Sequence, residues 1–201
     1  QDIGTPAAAE APAEDVLRTA DPAERGYSGA DFPRVNKLAD GVYSYEQLMT
    51  LGGEQITAVS MFVVTDDGVL VADGQGNVEA TQGLIDQIAS VTEQPITRVV
   101  VGSHHPDHSG GNSAFPSDAT FLVHPTSAAA LEQVENAPNM EEMVESELAL
   151  NMGGREIRVL HLGRAHTGGD LLVHLPQEGI LFMSEVFLNR VFPLMRSAYP
   201  H

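Results

Sequence analysis

Three histidines and one aspartate lie within five residues of one loop, and they are the strongest sign of chemistry in this chain. His104, His105, Asp107 and His108 directly follow an apolar run that reads as a strand. Imidazole and carboxylate groups at this density are the ligands that a borderline divalent metal such as zinc prefers. Alternation along an extended chain places His104 and His105 on opposite sides. The loop therefore predicts a metal site built from His105, Asp107 and His108, with His104 pointing away.

Two more residues extend the candidate site from other parts of the chain. His166 lies in a glycine-flanked loop after a predicted strand, and Glu185 ends a later strand. Each also has an ordinary interpretation, as a structural loop histidine or a surface acid. If a metal binds, the strand ends would hold these side chains in a fixed direction.

The histidine loop resembles the H-x-H-x-D-H signature of the metallo-β-lactamase superfamily. Residues 103–108 read Ser-His-His-Pro-Asp-His, so the second histidine, the aspartate and the last histidine match, whereas Ser103 replaces the first histidine. The resemblance implies that His166 completes the first metal site and that Glu185 belongs to the second. It implies that Asp73, which follows an earlier predicted strand and could otherwise be a turn residue, supports the metal loop from behind. A serine hydroxyl is a poor zinc ligand, so Ser103 is expected to support the loop and to weaken the first site.

The chemistry implied by this resemblance is hydrolysis with one or two zinc ions. Zinc lowers the pKa of a bound water to about 7, which makes hydroxide available at neutral pH without a nucleophilic side chain. Asp107 is expected to orient that hydroxide and to carry its proton towards the leaving group. A lactam, lactone, ester or thioester fits equally well, and the substrate-binding residues stay unknown at this point.

Two other functions remain open from the sequence alone. Carboxylate-rich ligands that include Glu185 tolerate iron, which would give an oxidoreductase similar to a sulfur dioxygenase on the same fold. Alternatively, the chain is a non-catalytic superfamily member, because Ser103 replaces a ligand and no final metal-binding histidine is recognisable. Arg164 is the only cation close to a metal loop in the sequence.

The amino-acid composition excludes several classes of binding partner and site. The net charge is −18 and Lys37 is the only lysine, whereas a nucleic-acid surface needs clustered cations. The chain has no cysteine, which excludes disulfides and cysteine ligands. No run of apolar residues approaches the length of a membrane span. We therefore expect a small-molecule substrate, no nucleic acid and no membrane span, and leave the oligomeric state open.

The order of predicted elements favours two sheets with helices outside them. The resemblance, which covers roughly residues 37–190, implies an α+β fold of the four-layer αββα type, the metallo-β-lactamase fold. A helix is predicted from the cap Asn77 to Val91, because its apolar residues have helical spacing. Residues 138–147 are acidic and predict either a surface helix or a lid. The predicted strands cover residues 41–45, 57–65, 69–72, 97–101, 120–124, 155–161, 171–175 and 179–183, and a second helix covers 125–134.

The ends of the chain carry weaker expectations. Residues 1–36 are predicted to be a flexible segment rich in alanine, proline and glutamate, followed by the metallo-β-lactamase-like domain over 37–201. A short helix around residues 15–19 is compatible with the sequence. A tether behind a removed signal would indicate a periplasmic or secreted protein, and otherwise a cytoplasmic one. Because the resembling domain usually continues through further strands, the sequence is expected to be a C-terminally truncated fragment of a longer metallohydrolase.

Overall fold

The computed structural model describes residues 19–51, 53–134, 140 and 142–189. The described strands are β1 (Arg34–Ala39), β2 (Val42–Leu51), β3 (Glu54–Thr65), β4 (Gly68–Ala72), β5 (Ile96–Val100), β6 (Thr120–Val123), β7 (Glu142–Met143), β8 (Glu147–Met152), β9 (Arg155–Leu160), β10 (Leu172–Leu175) and β11 (Ile180–Phe182). The described α-helices are α1 (Val78–Val91), α2 (Pro106–Ser109) and α3 (Pro125–Leu131). Residues 1–18 of the predicted flexible segment lie outside the described residues, and so does the helix predicted around residues 15–19, apart from Thr19.

These strands form two sheets. The larger sheet has the order β1-β2-β3-β4-β5-β6-β7, antiparallel up to β4 and parallel from β4 onwards. The smaller sheet has the order β11-β10-β9-β8 and is antiparallel throughout. The carboxyl ends of the parallel strands lie at one edge of the sheet, where the ligand-binding residues of such sheets are usually found.

Two apolar cores separate the layers. On one face of the larger sheet, Val69 and Val71 pack with Leu84 and Ile88 of α1. On its other face, Leu70 and its neighbours pack against the smaller sheet. Every residue of β4 is buried, as expected for a strand covered on both faces. The described residues thus form a helix layer and two stacked sheets, and the predicted fold class is confirmed.

The predicted start of α1 is confirmed, because the residues that define it lie within one helical turn of one another. α1 begins directly after Asn77, whose side chain accepts a hydrogen bond from the Ala80 N–H at 2.9 Å.

Residues 142–143 disagree with the helix predicted as one option for 138–147: they form β7 and pair with β6 in parallel. Val144 is 1% exposed, so its burial outweighs the acidic character of its neighbours. Residues 135–139 and 141 lie outside the described residues.

The first strand starts at Arg34, inside the segment predicted to be flexible. The domain boundary at residue 37 itself stays a prediction. No helix in the described part of the chain is both long and apolar enough to cross a membrane.

Candidate metal centre

The candidate site lies where β4, β5 and β11 end, together with the loop after β9. Asp73 follows β4, and its N–H donates to the Val100 carbonyl oxygen at the end of β5 at 3.0 Å. The Leu171 N–H donates to the Gly102 carbonyl oxygen at 2.9 Å, which joins the two sheets beside the site. His105 caps α2 and His108 lies within this helix. Strand pairing therefore brings distant parts of the chain to one edge.

The first group of possible metal ligands is His105, His166 and Glu185, whose ligand atoms all lie within 4.8 Å of one another. The Nδ1 atom of His105 lies 2.8 Å from Glu185 Oε2, and His166 Nε2 lies 3.0 Å from Glu185 Oε1. The His166 Nδ1 atom is buried, and no hydrogen-bond partner for it lies in the described part of the chain. Two imidazole nitrogens thus converge on the two oxygens of one carboxylate.

The second group is Asp107, His108 and Glu185, again within 4.8 Å. His108 Nε2 lies 3.4 Å from Asp107 Oδ2 and 4.0 Å from Glu185 Oε2. Both groups share Glu185, which is only 8% exposed and is therefore not a surface acid. One carboxylate connects all of the histidine and aspartate side chains that the sequence analysis selected as ligands.

Asp73 supports this arrangement from behind. It is fully buried; its Oδ1 accepts the Gly102 N–H at 2.7 Å, and its Oδ2 accepts the Ser184 hydroxyl at 2.5 Å and faces His108 Nδ1 at 2.9 Å. A carboxylate that accepts a hydrogen bond from the Nδ1–H group leaves Nε2 as the ligand atom, which is the usual outer support of a metal-binding histidine. Burial lowers the pKa of His108, but the charge and hydrogen bond of Asp73 outweigh it and raise that pKa to about 9.

Ser103 stands where the signature has a histidine, and its hydroxyl is turned into the site. It is fully buried and donates to Glu185 Oε2 at 2.8 Å. The hydrogen bond that the His105 ring donates to Glu185 raises the pKa of His105. Burial raises the pKa of Glu185, yet its contacts with His105, His108 and Ser103 lower it overall. His104 belongs to neither group; its Nδ1 lies 3.4 Å from the Ser127 hydroxyl.

The chemistry of the donor set fits a metal. Asp73, Asp107 and Glu185 form one cluster, and within the described ranges no lysine or arginine lies within ion-pair distance of any of them. Mostly buried carboxylates need a compensating positive charge, which a bound cation would supply when His105 and His108 are neutral. Nitrogen and oxygen donors without sulfur suit zinc and also iron.

A groove of about 530 Å³ opens beside these residues, within the size range of small-molecule sites. Asp107, His108 and Glu185 line its base. The residues of its walls were not predicted from the sequence, because no motif marks them. They come from β2, β3, the turn around Arg25 and the segment after β11. Arg164, the cation expected near the site, is exposed and does not line the groove.

Comparison with known families agrees with this geometry. The family profile described as Lactamase_B, Metallo-beta-lactamase superfamily, matches residues 55–201. The chain belongs to the metallo-β-lactamase superfamily. Members of this superfamily typically bind metal ions, and the resemblance seen in the histidine loop is therefore confirmed.

Individual superfamily members are distant from this chain. The metallo-beta-lactamase type 2 of Elizabethkingia meningoseptica is 23% identical over 148 residues, which cover 74% of this chain and 59% of that protein. Metallo-beta-lactamase IND-1 of Chryseobacterium indologenes is 24% identical, covering 75% of this chain and 63% of that protein. This metallo-β-lactamase-like chain thus spans about three fifths of the length of these curated relatives.

Solved structures show the same fold. The metallo-beta-lactamase from Pontibacter korlensis has a TM-score of 0.67 at 23% identity, covering 74% of this chain and 69% of that one. The metallo-beta-lactamase from Hirschia baltica still reaches 0.63 at 16% identity, covering 74% of this chain and 68% of that one. The shared architecture therefore persists where little sequence is shared.

Proposed function

We propose that this superfamily member is a zinc-dependent hydrolase of a small molecule, a lactam, lactone, ester or thioester. The observation that carries the proposal is the pair of possible ligand groups that share Glu185 at the base of the groove. The first group would be His105, His166 and Glu185, and the second would be Asp107, His108 and Glu185. A zinc ion bound there would supply a Lewis acid and an activated water.

The residues of the chain would have distinct tasks in this reaction. Asp107 lines the groove, so its carboxylate can accept a proton from a water in the groove and pass it to the leaving group. Asp73 would hold His108 in the tautomer that presents Nε2. Ser103 would fix Glu185 through its hydroxyl, at the position where the family signature has a histidine.

The first experiment measures metal content per chain by elemental analysis. We expect near-stoichiometric zinc in the purified protein and its loss in the double variant His105→Ala, His108→Ala. The matched control is His124→Ala, His161→Ala, which removes a stacked histidine pair that belongs to neither ligand group and should leave the zinc in place.

A panel of β-lactam, lactone, ester and thioester substrates then tests the reaction. Hydrolysis of one class by the zinc-loaded protein, abolished in the ligand variant and retained in the control, would support the proposal. Absence of metal after incubation with excess zinc, or no turnover of any class by the loaded protein, would contradict it. Stoichiometric iron in place of zinc would also contradict it and would favour a redox reaction.

A further inference from the structure

The groove beside the candidate metal centre is largely apolar, which limits the kind of molecule it can hold. Side chains from the β2–β3 hairpin form one wall, and side chains at and after the end of β11 form another. Phe187 is one of the apolar side chains that line the groove, and it is 62% exposed. The apolar lining residues are Ala20, Met49, Ile56, Ala58, Val59, Phe182, Phe187 and Leu188.

One arginine lies among the apolar and acidic side chains that line the groove. Arg25 is the only lysine or arginine among the described residues around the groove. Its guanidinium has no carboxylate within 4.0 Å in the described ranges, although the chain carries a net charge of −18. A guanidinium left without an acidic partner in such an acidic chain is available for an anion in the groove.

The acidic residues that line the groove do not pair with Arg25. Glu46 is already held by Arg34 at 3.7 Å and by the Asn36 amide at 2.9 Å. Asp107 and Glu185 belong to the candidate ligand groups. The remaining acid, Glu54, is exposed at the start of β3.

The backbone around Arg25 forms a hydrogen-bonded turn. The Ala23 N–H donates to Asp21 Oδ1 at 2.8 Å, and the Arg25 N–H donates to the Asp21 carbonyl oxygen at 3.2 Å. Gly26 has a φ of 83°, a left-handed conformation that glycine adopts without strain, and it closes the turn. The guanidinium carbon of Arg25 lies 5.8 Å from the Tyr27 ring centroid. The side chain is therefore presented from a fixed turn.

We propose that Arg25 is a substrate-binding residue that recognises an oxyanion on the substrate. The substrate would be a small amphipathic molecule, whose apolar body lies in the groove and whose acidic group, a carboxylate or a phosphate, pairs with the guanidinium. Arginine presents a planar fork of N–H donors that matches both anions. The inference deepens the proposed hydrolase function, because it assigns the substrate class of the same site.

Calorimetric titration of the zinc-loaded protein tests this with three unreactive probes: 3-phenylpropionate, 2-phenylethylphosphonate and 3-phenylpropionamide. Loss of a charge-assisted hydrogen bond predicts that Arg25→Gln binds the carboxylate about tenfold more weakly or worse. The amide should bind weakly and equally to both proteins. Arg25→Lys keeps the charge and should bind the acids with intermediate affinity.

Arg164→Gln is the matched control, since it removes the same charge from an exposed arginine outside the groove. It should bind all three probes as the wild type does. A stronger effect of Arg25→Gln on the carboxylate or on the phosphonate would identify which anion the site prefers. Direct contact between an acid and zinc survives in both variants, so it cannot produce the difference.

Equal affinity of Arg25→Gln and wild type for both acidic probes would overturn the inference, and so would failure of the wild type to bind either acid. The hydrolase proposal fails separately, through the substrate panel. If Arg25-dependent binding of an acid is measured but no substrate class is hydrolysed, the anion site stands and the catalytic proposal does not.

Discussion

Replacing Asp73 by asparagine would test how the candidate metal centre is held in place. Asp73 has a φ of 63°, and asparagine is one of the few residues that tolerates this left-handed conformation. The substitution therefore keeps the backbone and the side-chain size and removes only the charge. The Gly102 N–H can still be accepted by the amide oxygen, whereas the charged acceptor for His108 and Ser184 is lost.

The zinc affinity should fall. With the amide in place, nothing draws the His108 proton onto Nδ1, so Nε2 is no longer held as the ligand atom. Loss of such an outer partner typically weakens metal binding about 10- to 100-fold. The loss should be confined to the group that contains His108. Competition with a chromogenic chelator at pH 7.5 would measure it.

The metal-free protein should respond to pH in a defined direction. The pKa of His108 is raised to about 9, so its contribution to folding is complete below its ordinary pKa of about 6.5 and is lost as the pH rises through 9. A shift of this size corresponds to about 3 kcal/mol. Between pH 6 and pH 10, Asp73→Asn should lose correspondingly less stability than the wild type, because burial alone lowers the pKa of His108.

Denaturant unfolding at both pH values and an NMR titration of the His108 ring would follow these changes. Asp67→Asn is the control, because Asp67 also accepts a backbone N–H, that of Gly153 at 2.7 Å, but at an exposed position away from the site. The reasoning would be refuted if Asp73→Asn bound zinc like the wild type and its His108 still titrated near pH 9.

Three further substitutions test the packing around the site. Ser103→His alone should lose zinc because the ring meets Glu185, and adding Glu185→Asp should recover it; equal affinity in a zinc titration would contradict this. Gly102→Ala places a Cβ 2.6 Å from Ser184 and should cost about 1–3 kcal/mol in unfolding measurements, whereas Gly29→Ala, with nothing within 4 Å, should be neutral. Leu84→Ala should cost about 2–5 kcal/mol while the folded protein keeps its zinc affinity; a large affinity loss would contradict independent packing.

Local sequence was sufficient for the elements whose signals lie within a few residues. The cap at Asn77 and the apolar spacing behind it define α1, because both act within one or two helical turns. The alternation at His104 and His105 indicated which histidine faces the site, since strand geometry repeats every two residues. The family signature and the fold class followed from the same short stretch together with the order of the strands.

The short strand β7 shows where this reasoning failed. Acidic composition favoured a surface helix or a lid, but pairing with β6 and the burial of Val144 depend on a partner strand about 20 residues away in the sequence. Periodicity within a ten-residue window carries no information about such a partner.

Residue types and their spacing were enough to show which side chains could hold a metal and which loop presents most of them. How these side chains are joined depends on the folded chain, in which Glu185 meets His105 across 80 residues and Ser103 across 82. Arg25 likewise reaches the groove from a turn that carries no recognisable motif. Contacts of this kind depend on which strand ends share a sheet edge, and this depends on packing of the whole chain.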